Sequence, residues 1–240
     1  MAVPPEFISA TDRDTANGWL EFADTNSFTK TVSCITNLNR AFIAVVAAGG
    51  GRTVSSITIG GQALSLIGYI AYPSNIFVCA YGRLNAPTGN QSLAVTLSGG
   101  TYGYVTILQF DNTTGWRAQI SSNQGITQNP SISANNLIAD DLVVSACNKF
   151  SDLAGLGSGQ TSLHYSSRYA NGCHKSRKIL SANGSTTFSY TSTTSDKYAH
   201  VVFSLIPLPT PGGGSVIWWF RKWLEEKKKE ILLQPFPVGI

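Results

Sequence analysis

Catalysis and metal binding need polar groups that converge, and this chain offers few. Its three histidines, His164, His174 and His200, fall in separate strand-like stretches. Cys173 and His174 are adjacent, and neighbours on a strand point to opposite faces, so the pair is badly placed to share one metal. Asp140 and Asp141 precede an apolar run, where the same alternation parts their carboxylates and turn capping is the expected role. Residues 12–18 (Asp-Arg-Asp-Thr-Ala-Asn-Gly) open like a calcium loop, with oxygens at Asp12, Asp14 and Asn17. Ala16 takes an acidic position, however, and the distal Glu is missing, so a polar turn is preferred. Gly155 to Gly159 lacks the strand–loop–helix setting of a phosphate loop, and neither G-x-S-x-G nor H-E-x-x-H occurs. The expectation is a chain that is not an enzyme, with no catalytic residues, no metal and no cofactor.

The elements that would carry any site are strands. Charged residues make up 12% of the 240, about half the usual share, while Gly, Ser, Thr and Asn are plentiful. From Phe7 to Ile206, short runs of Val, Ile, Thr, Phe and Tyr alternate with Gly, Asn or Pro breaks. Nine such runs are clear, which is too many for one open sheet, so two packed sheets are predicted. Residues 41–48 are apolar on both faces, as suits a central strand or one turned toward another subunit. Gly60-Gly61 supplies the positive φ angles of a tight hairpin. Cys34, Cys79, Cys147 and Cys173 are widely spaced, and buried reduced thiols are expected. The net charge of +4 includes a local excess in residues 221–229, and no basic face interleaved with aromatics marks the rest, so nucleic acid is not an expected partner. The N-terminus shows no secretory signal, which predicts synthesis and folding in a cytoplasm.

Composition breaks at residues 207–215 (Pro-Leu-Pro-Thr-Pro-Gly-Gly-Gly-Ser), which read as a tether, stiff and then free. The division predicted is a β-sandwich domain over 1–206, a Pro/Gly linker over 207–215, and an amphipathic helix with an extended tip over 216–240. Wound at about 100° per residue, Ile217, Trp219, Phe220, Trp223, Leu224 and Ile231 share one face. Its charges exclude a bilayer span. Three uses rank in order: docking on a partner protein through that apolar face, folding back on the parent sandwich, and lying on a membrane surface. Separately, aromatics such as Trp116, Tyr102 and Tyr72 could stack on sugars, although strand packing explains each of them too.

Residues 40–47 (Arg-Ala-Phe-Ile-Ala-Val-Val-Ala), 54–64 (Val-Ser-Ser-Ile-Thr-Ile-Gly-Gly-Gln-Ala-Leu) and 81–97, with Gly60, Gly61, Gln62, Leu64, Leu84, Pro87 and Gly89 at marked places, resemble a recurring β-sandwich module of bacteriophage virion proteins and some bacterial surface proteins. The likeness runs over roughly 40–207. It implies an all-β, two-sheet, jelly-roll-like sandwich displayed on a phage head, neck or tail, assembled in the host bacterial cytoplasm. Partners would be other virion proteins met through the C-terminal arm, further copies of the chain, a trimer among the options, and, in the alternative reading as a carbohydrate-binding module, a host-surface glycan. The motifs are structural and bring no catalytic residues.

Overall fold

The computed structural model describes residues 2–16, 18–153, 155–168 and 171–209. Every regular element among them is a strand, in the order β1 (Ala2–Val3), β2 (Glu6–Thr11), β3 (Glu21–Cys34), β4 (Ala41–Gly49), β5 (Val54–Ile59), β6 (Gln62–Ala63), β7 (Ser65–Tyr72), β8 (Ile76–Leu84) and β9 (Gly89–Asp111). The chain continues with β10 (Thr113–Thr127), β11 (Ser131–Leu137), β12 (Leu142–Lys149), β13 (Gly155–Leu156), β14 (Thr161–Arg168), β15 (Asn171–Ile179), β16 (Gly184–Thr191) and β17 (Asp196–Pro209). The expected all-β class holds. The helix predicted over 216–240, with Ile217, Trp219, Phe220, Trp223, Leu224 and Ile231, lies outside the described residues.

One topology occurs twice. In the first half β4 lies between β8 and the later stretch of β9, β7 flanks β8, and β3 and β5 pair with the early stretch of β9. In the second half β12 lies between β15 and β17, β14 flanks β15, and β11 and β13 pair with β16. Even the outermost pairing matches, since β2 and the start of β3 border β9 as β10 borders β17. Registers make the equivalence residue by residue. Ala41 faces Leu84 and Phe110 on its neighbouring strands, and Leu142 faces Ile179 and Leu205.

The halves pack sheet on sheet. Ala41, Ile43, Val45 and Ala47 of β4 share one apolar cluster with Leu142, Val144 and Ala146 of β12 and with Val201 and Phe203 of β17. The opposite face of β4, Phe42, Ala44, Val46 and Ala48, is covered by Leu93, Val95 and Leu97 of the early β9. This explains why β4 is apolar all round: it is central in its sheet and covered on both faces within the chain. Burial of that kind, at about 25 cal/mol per Å², is what holds a stack of sheets together.

Local sequence makes the turns. Gly60 and Gly61 both have positive φ, 55° and 76°, and Ile59 pairs with Gln62 across them, as the Gly-Gly hairpin requires. β9 can serve two layers because it bulges at its middle: Thr25 of β3 faces Thr101, yet Ser27 faces Thr96, so Gly99 and Gly100 lie at the corner. All four cysteines are buried free thiols.

Where sheets run this close, glycine is required by space. A methyl at Gly103 would lie 2.6 Å from the Ala47 carbonyl oxygen and would also strike the Ala48 side chain. Gly103→Ala is expected to lower stability by roughly 1–3 kcal/mol, the usual cost of overpacking, seen as an earlier midpoint in urea unfolding.

β17 does not stop where the linker was predicted to begin. Pro207 pairs with Thr113, and the Leu208 amide donates to the Asn112 carbonyl at 2.8 Å, so residues 207–209 finish the strand. The compact unit spans Val3–Leu208.

Candidate functional site

The duplicated topology gives each half an internal reference, and chemistry is easiest to see where the halves differ. Within the first half, Ala44, Val46, Cys79 and Val105 meet in an apolar layer. At the matching registers the second half carries Ser145, Cys147, His174 and His200. Tyr190 from β16 sits among them. Its hydroxyl bonds the Ser145 hydroxyl at 2.8 Å and the Ser176 hydroxyl at 2.9 Å, while Ser145 bonds His200 Nε2 at 2.7 Å. Gln160 Nε2 donates to Ser176 Oγ at 3.0 Å, and Ser162 Oγ bonds His174 Nε2 at 3.0 Å. The rings of His174, Tyr190 and His200 follow one another at 5.6 and 5.2 Å between centroids.

This network is built for burial. Burial holds the His200 imidazole down to about 3. It also holds His174 down to about 4, helped by the charges of Lys175 and His164. Both rings are thus neutral at physiological pH. Ser145 and His200 make a hydroxyl–imidazole contact, but His200 Nδ1 has no hydrogen-bond partner, so no carboxylate orients the ring as a nucleophile's base requires. Sequence spacing placed the histidines on separate strands, which is correct; the fold then gathers two of them around Tyr190. Cys173 and His174 do point to opposite faces, Cys173 into the cluster between the halves and His174 into this network.

A second polar cluster lies between the halves. Lys175 occupies the register of Ala80 and is fully buried. Its ammonium donates to Ser166 Oγ at 3.2 Å and to the Cys173 carbonyl at 3.1 Å, and lies 5.3 Å from the centre of the Tyr104 ring. Burial lowers the Lys175 pKa. Burial would raise that of Asp12, but the polar side chains of His164 and Ser166 and the charge of Lys175 bring it below the ordinary carboxylate value. The residues resembling a calcium loop therefore go separate ways. Asp12 turns inward, with His164 Nε2 at 3.3 Å. Asp14 Oδ1 accepts from the amides of Ala16 and Gly18 at 3.0 and 2.7 Å, closing the polar turn, and Asn17 is outside the described residues.

Asp141 was expected to cap a turn, and here the structure corrects the reading. The residue is buried, and its Oδ2 accepts from Arg117 Nε at 2.9 Å and from the Ser204 hydroxyl at 3.0 Å, tying β10, β12 and β17 together. Asp140 takes the strained turn position, with φ 69°.

The residues singled out for glycan stacking are dispersed. Trp116, on β10 opposite Leu205, is half-buried and packs on the cluster between the halves, its ring edge over Gly82. Tyr72 packs on the same cluster, with the Lys197 ammonium 5.9 Å from its ring centre. Tyr102 is 47% exposed and lines a groove of about 580 Å³. Asp24, Asn75, Thr101 and Phe150 line it as well, over a floor of Gly49, Gly50 and Gly100. Asp24 and Phe150 escaped sequence reasoning, because one sits mid-strand in β3 and the other just past β12. The only available signal was an aromatic following a buried lysine.

The groove has a definite address. Gly49 pairs with Ile76, and Ala48 with Gly103, whereas Ala41 pairs with Leu84 and Phe110 at the other end of the strands. Phe150 joins the same end from the second half, its amide donating to the Lys197 carbonyl at 3.0 Å. Leu208, bonded to Asn112, is at the opposite end. With nine residues in β4, the two ends are about 27 Å apart. No protein-family model, no curated protein and no solved structure matches the chain.

Proposed function

We propose that the chain is a structural building block of a bacteriophage virion, a jelly-roll-like sandwich displayed outward and held to the head, neck or tail through its C-terminal arm. Its work is mechanical and adhesive, not catalytic. The likeness over 40–207 supports the setting. The observation that carries the anchoring role is the seating of the last strand: β17 is hydrogen-bonded to β12 as far as Leu205 on one side and to β10 as far as Pro207 on the other, and the Leu208 amide adds a bond to the Asn112 carbonyl. A pull on the arm would load both ladders in shear along their length, so many backbone bonds would have to fail together. The chain leaves that strand at the end away from the groove, which orients one end toward an assembly and the other outward. In the arm, Ile217, Trp219, Phe220, Trp223, Leu224 and Ile231 supply the apolar contact, and several copies in one particle would multiply modest contacts by avidity.

Deleting residues 210–240 tests this reading. The truncated chain is expected to melt within a degree or two of the full chain, yet to be missing from particles assembled with the other virion components. Incorporation of the truncated chain at full copy number would defeat the anchoring role.

A further inference from the structure

We propose that the groove at the end away from Leu208 is a binding site for a neutral saccharide, with Tyr102 and Phe150 as stacking platforms and Asp24 as the hydroxyl acceptor. The inference goes beyond the building-block reading and stands whether or not the arm anchors anything.

Exposure is the first observation. Among the described residues three aromatic side chains are exposed, Tyr102, Phe150 and Tyr165, at 47%, 44% and 38%. Two of the three line this one groove, although they come from different halves and are 48 positions apart in sequence. Folding ordinarily removes such rings from water, at about 25 cal/mol per Å² of apolar area, so the ring area that these two still expose on one groove is area that a ligand gains by covering.

The lining then selects the occupant. A purely apolar partner would meet Asp24 and Asn75 and leave a carboxylate and an amide desolvated. An anionic ligand would meet the Asp24 carboxylate without a cation among the lining residues. A pyranose fits both halves of the surface: its C–H face covers an aromatic ring, and its vicinal hydroxyls can donate to one carboxylate and exchange hydrogen bonds with an amide.

Local backbone shows a built surface. Asp24, Ser74 and Gly50 all adopt positive φ, 58°, 55° and 76°, an unusual conformation for the first two. The Thr101 hydroxyl donates to the Gly49 carbonyl at 2.8 Å, fixing one wall. Gly49, Gly50 and Gly100 leave the floor without side chains, so a ligand can approach the backbone there. The volume of about 580 Å³ suits one or two sugar rings.

The test is a binding assay of the purified full chain on immobilised neutral hexose oligosaccharides, with sialylated and phosphorylated glycans alongside. Binding to at least one neutral glycan is expected, weakened about tenfold or more by Phe150→Ala, by Tyr102→Ala and by Asp24→Asn. Tyr165→Ala, which removes the exposed ring outside the groove, should leave it unchanged. Equal melting temperatures for the four variants show that folding is not the cause. No neutral glycan bound, preference for anionic glycans, or binding insensitive to the three groove variants would each overturn the proposal. Because no particle is needed, failure here leaves the truncation result to decide anchoring by itself.

Discussion

Between pH 7 and pH 5 the chain should lose stability steeply, by roughly 2–4 kcal/mol, well before its carboxylates titrate. The cause is the neutral imidazole pair of the second half. Burial lowers His200 from an ordinary 6.5 to about 3 and His174 to about 4. The unfolded chain takes up protons at both rings as pH falls through about 6.5, while the folded chain resists until near 4 and then 3. Over that window the unfolded state binds more protons, so stability falls with pH by about 1.4 kcal/mol per unit for each ring. Above pH 7 the contribution is complete and flat. The depressed carboxylates, Asp12 among them, add their own loss only below about pH 4. Urea unfolding at pH 7, 6 and 5 measures the slope. Restoring the first half's residues, His200→Val with Ser145→Ala, should roughly halve it, because His174 remains. A midpoint independent of pH across this range would show that the imidazoles are not held neutral.

The second large effect concerns the cluster between the halves, where the Asp12 carboxylate is the charge that offsets the Lys175 ammonium. Asp12→Ala is expected to cost about 3 kcal/mol, because it strands a fully buried ammonium without its counter-charge. Lys175→Met should cost far less, since a thioether chain of similar length enters a site already lined by Tyr104 and apolar neighbours and takes the stranded charge away. The double variant should then resemble Lys175→Met alone. A thermal-melt double-mutant cycle reads this directly. Equal and additive losses from the two single changes would mean that the charges do not interact.

The first half was largely legible in sequence, because its strands follow the period-two and continuous apolar patterns that burial imposes. Residues 41–48 declared a two-faced strand, and Gly60-Gly61 declared its turn. The second half was legible only in part, in the runs at 142–147, 186–190 and 199–206 that form β12, β16 and β17. β15 reads Asn-Gly-Cys-His-Lys-Ser-Arg-Lys-Ile, a polar string, yet it is central in its sheet because hydrogen bonds inside the network replace apolar contact. β10, rich in Ser, Asn and Gln, is held mainly by its backbone ladder to β17 and shows no side-chain period. The duplication was equally silent: Gly61-Gln62 and Gly159-Gln160, at matching turns, are the sort of trace that survives when strands keep their pairing and exchange their side chains. Of the candidate glycan contacts, Tyr102 was foreseeable as an aromatic but not its partner Phe150, since only the stacking of the two halves brings 102 and 150 together.

We propose above all that the arm joins this sandwich to another polypeptide. A photo-crosslinking residue placed at Trp219 in intact particles is the most direct measurement. Adducts with a different virion protein are expected from Trp219, and none to the particle body from the same residue placed at Tyr102. Adducts from Trp219 confined to the chain's own sandwich would contradict it.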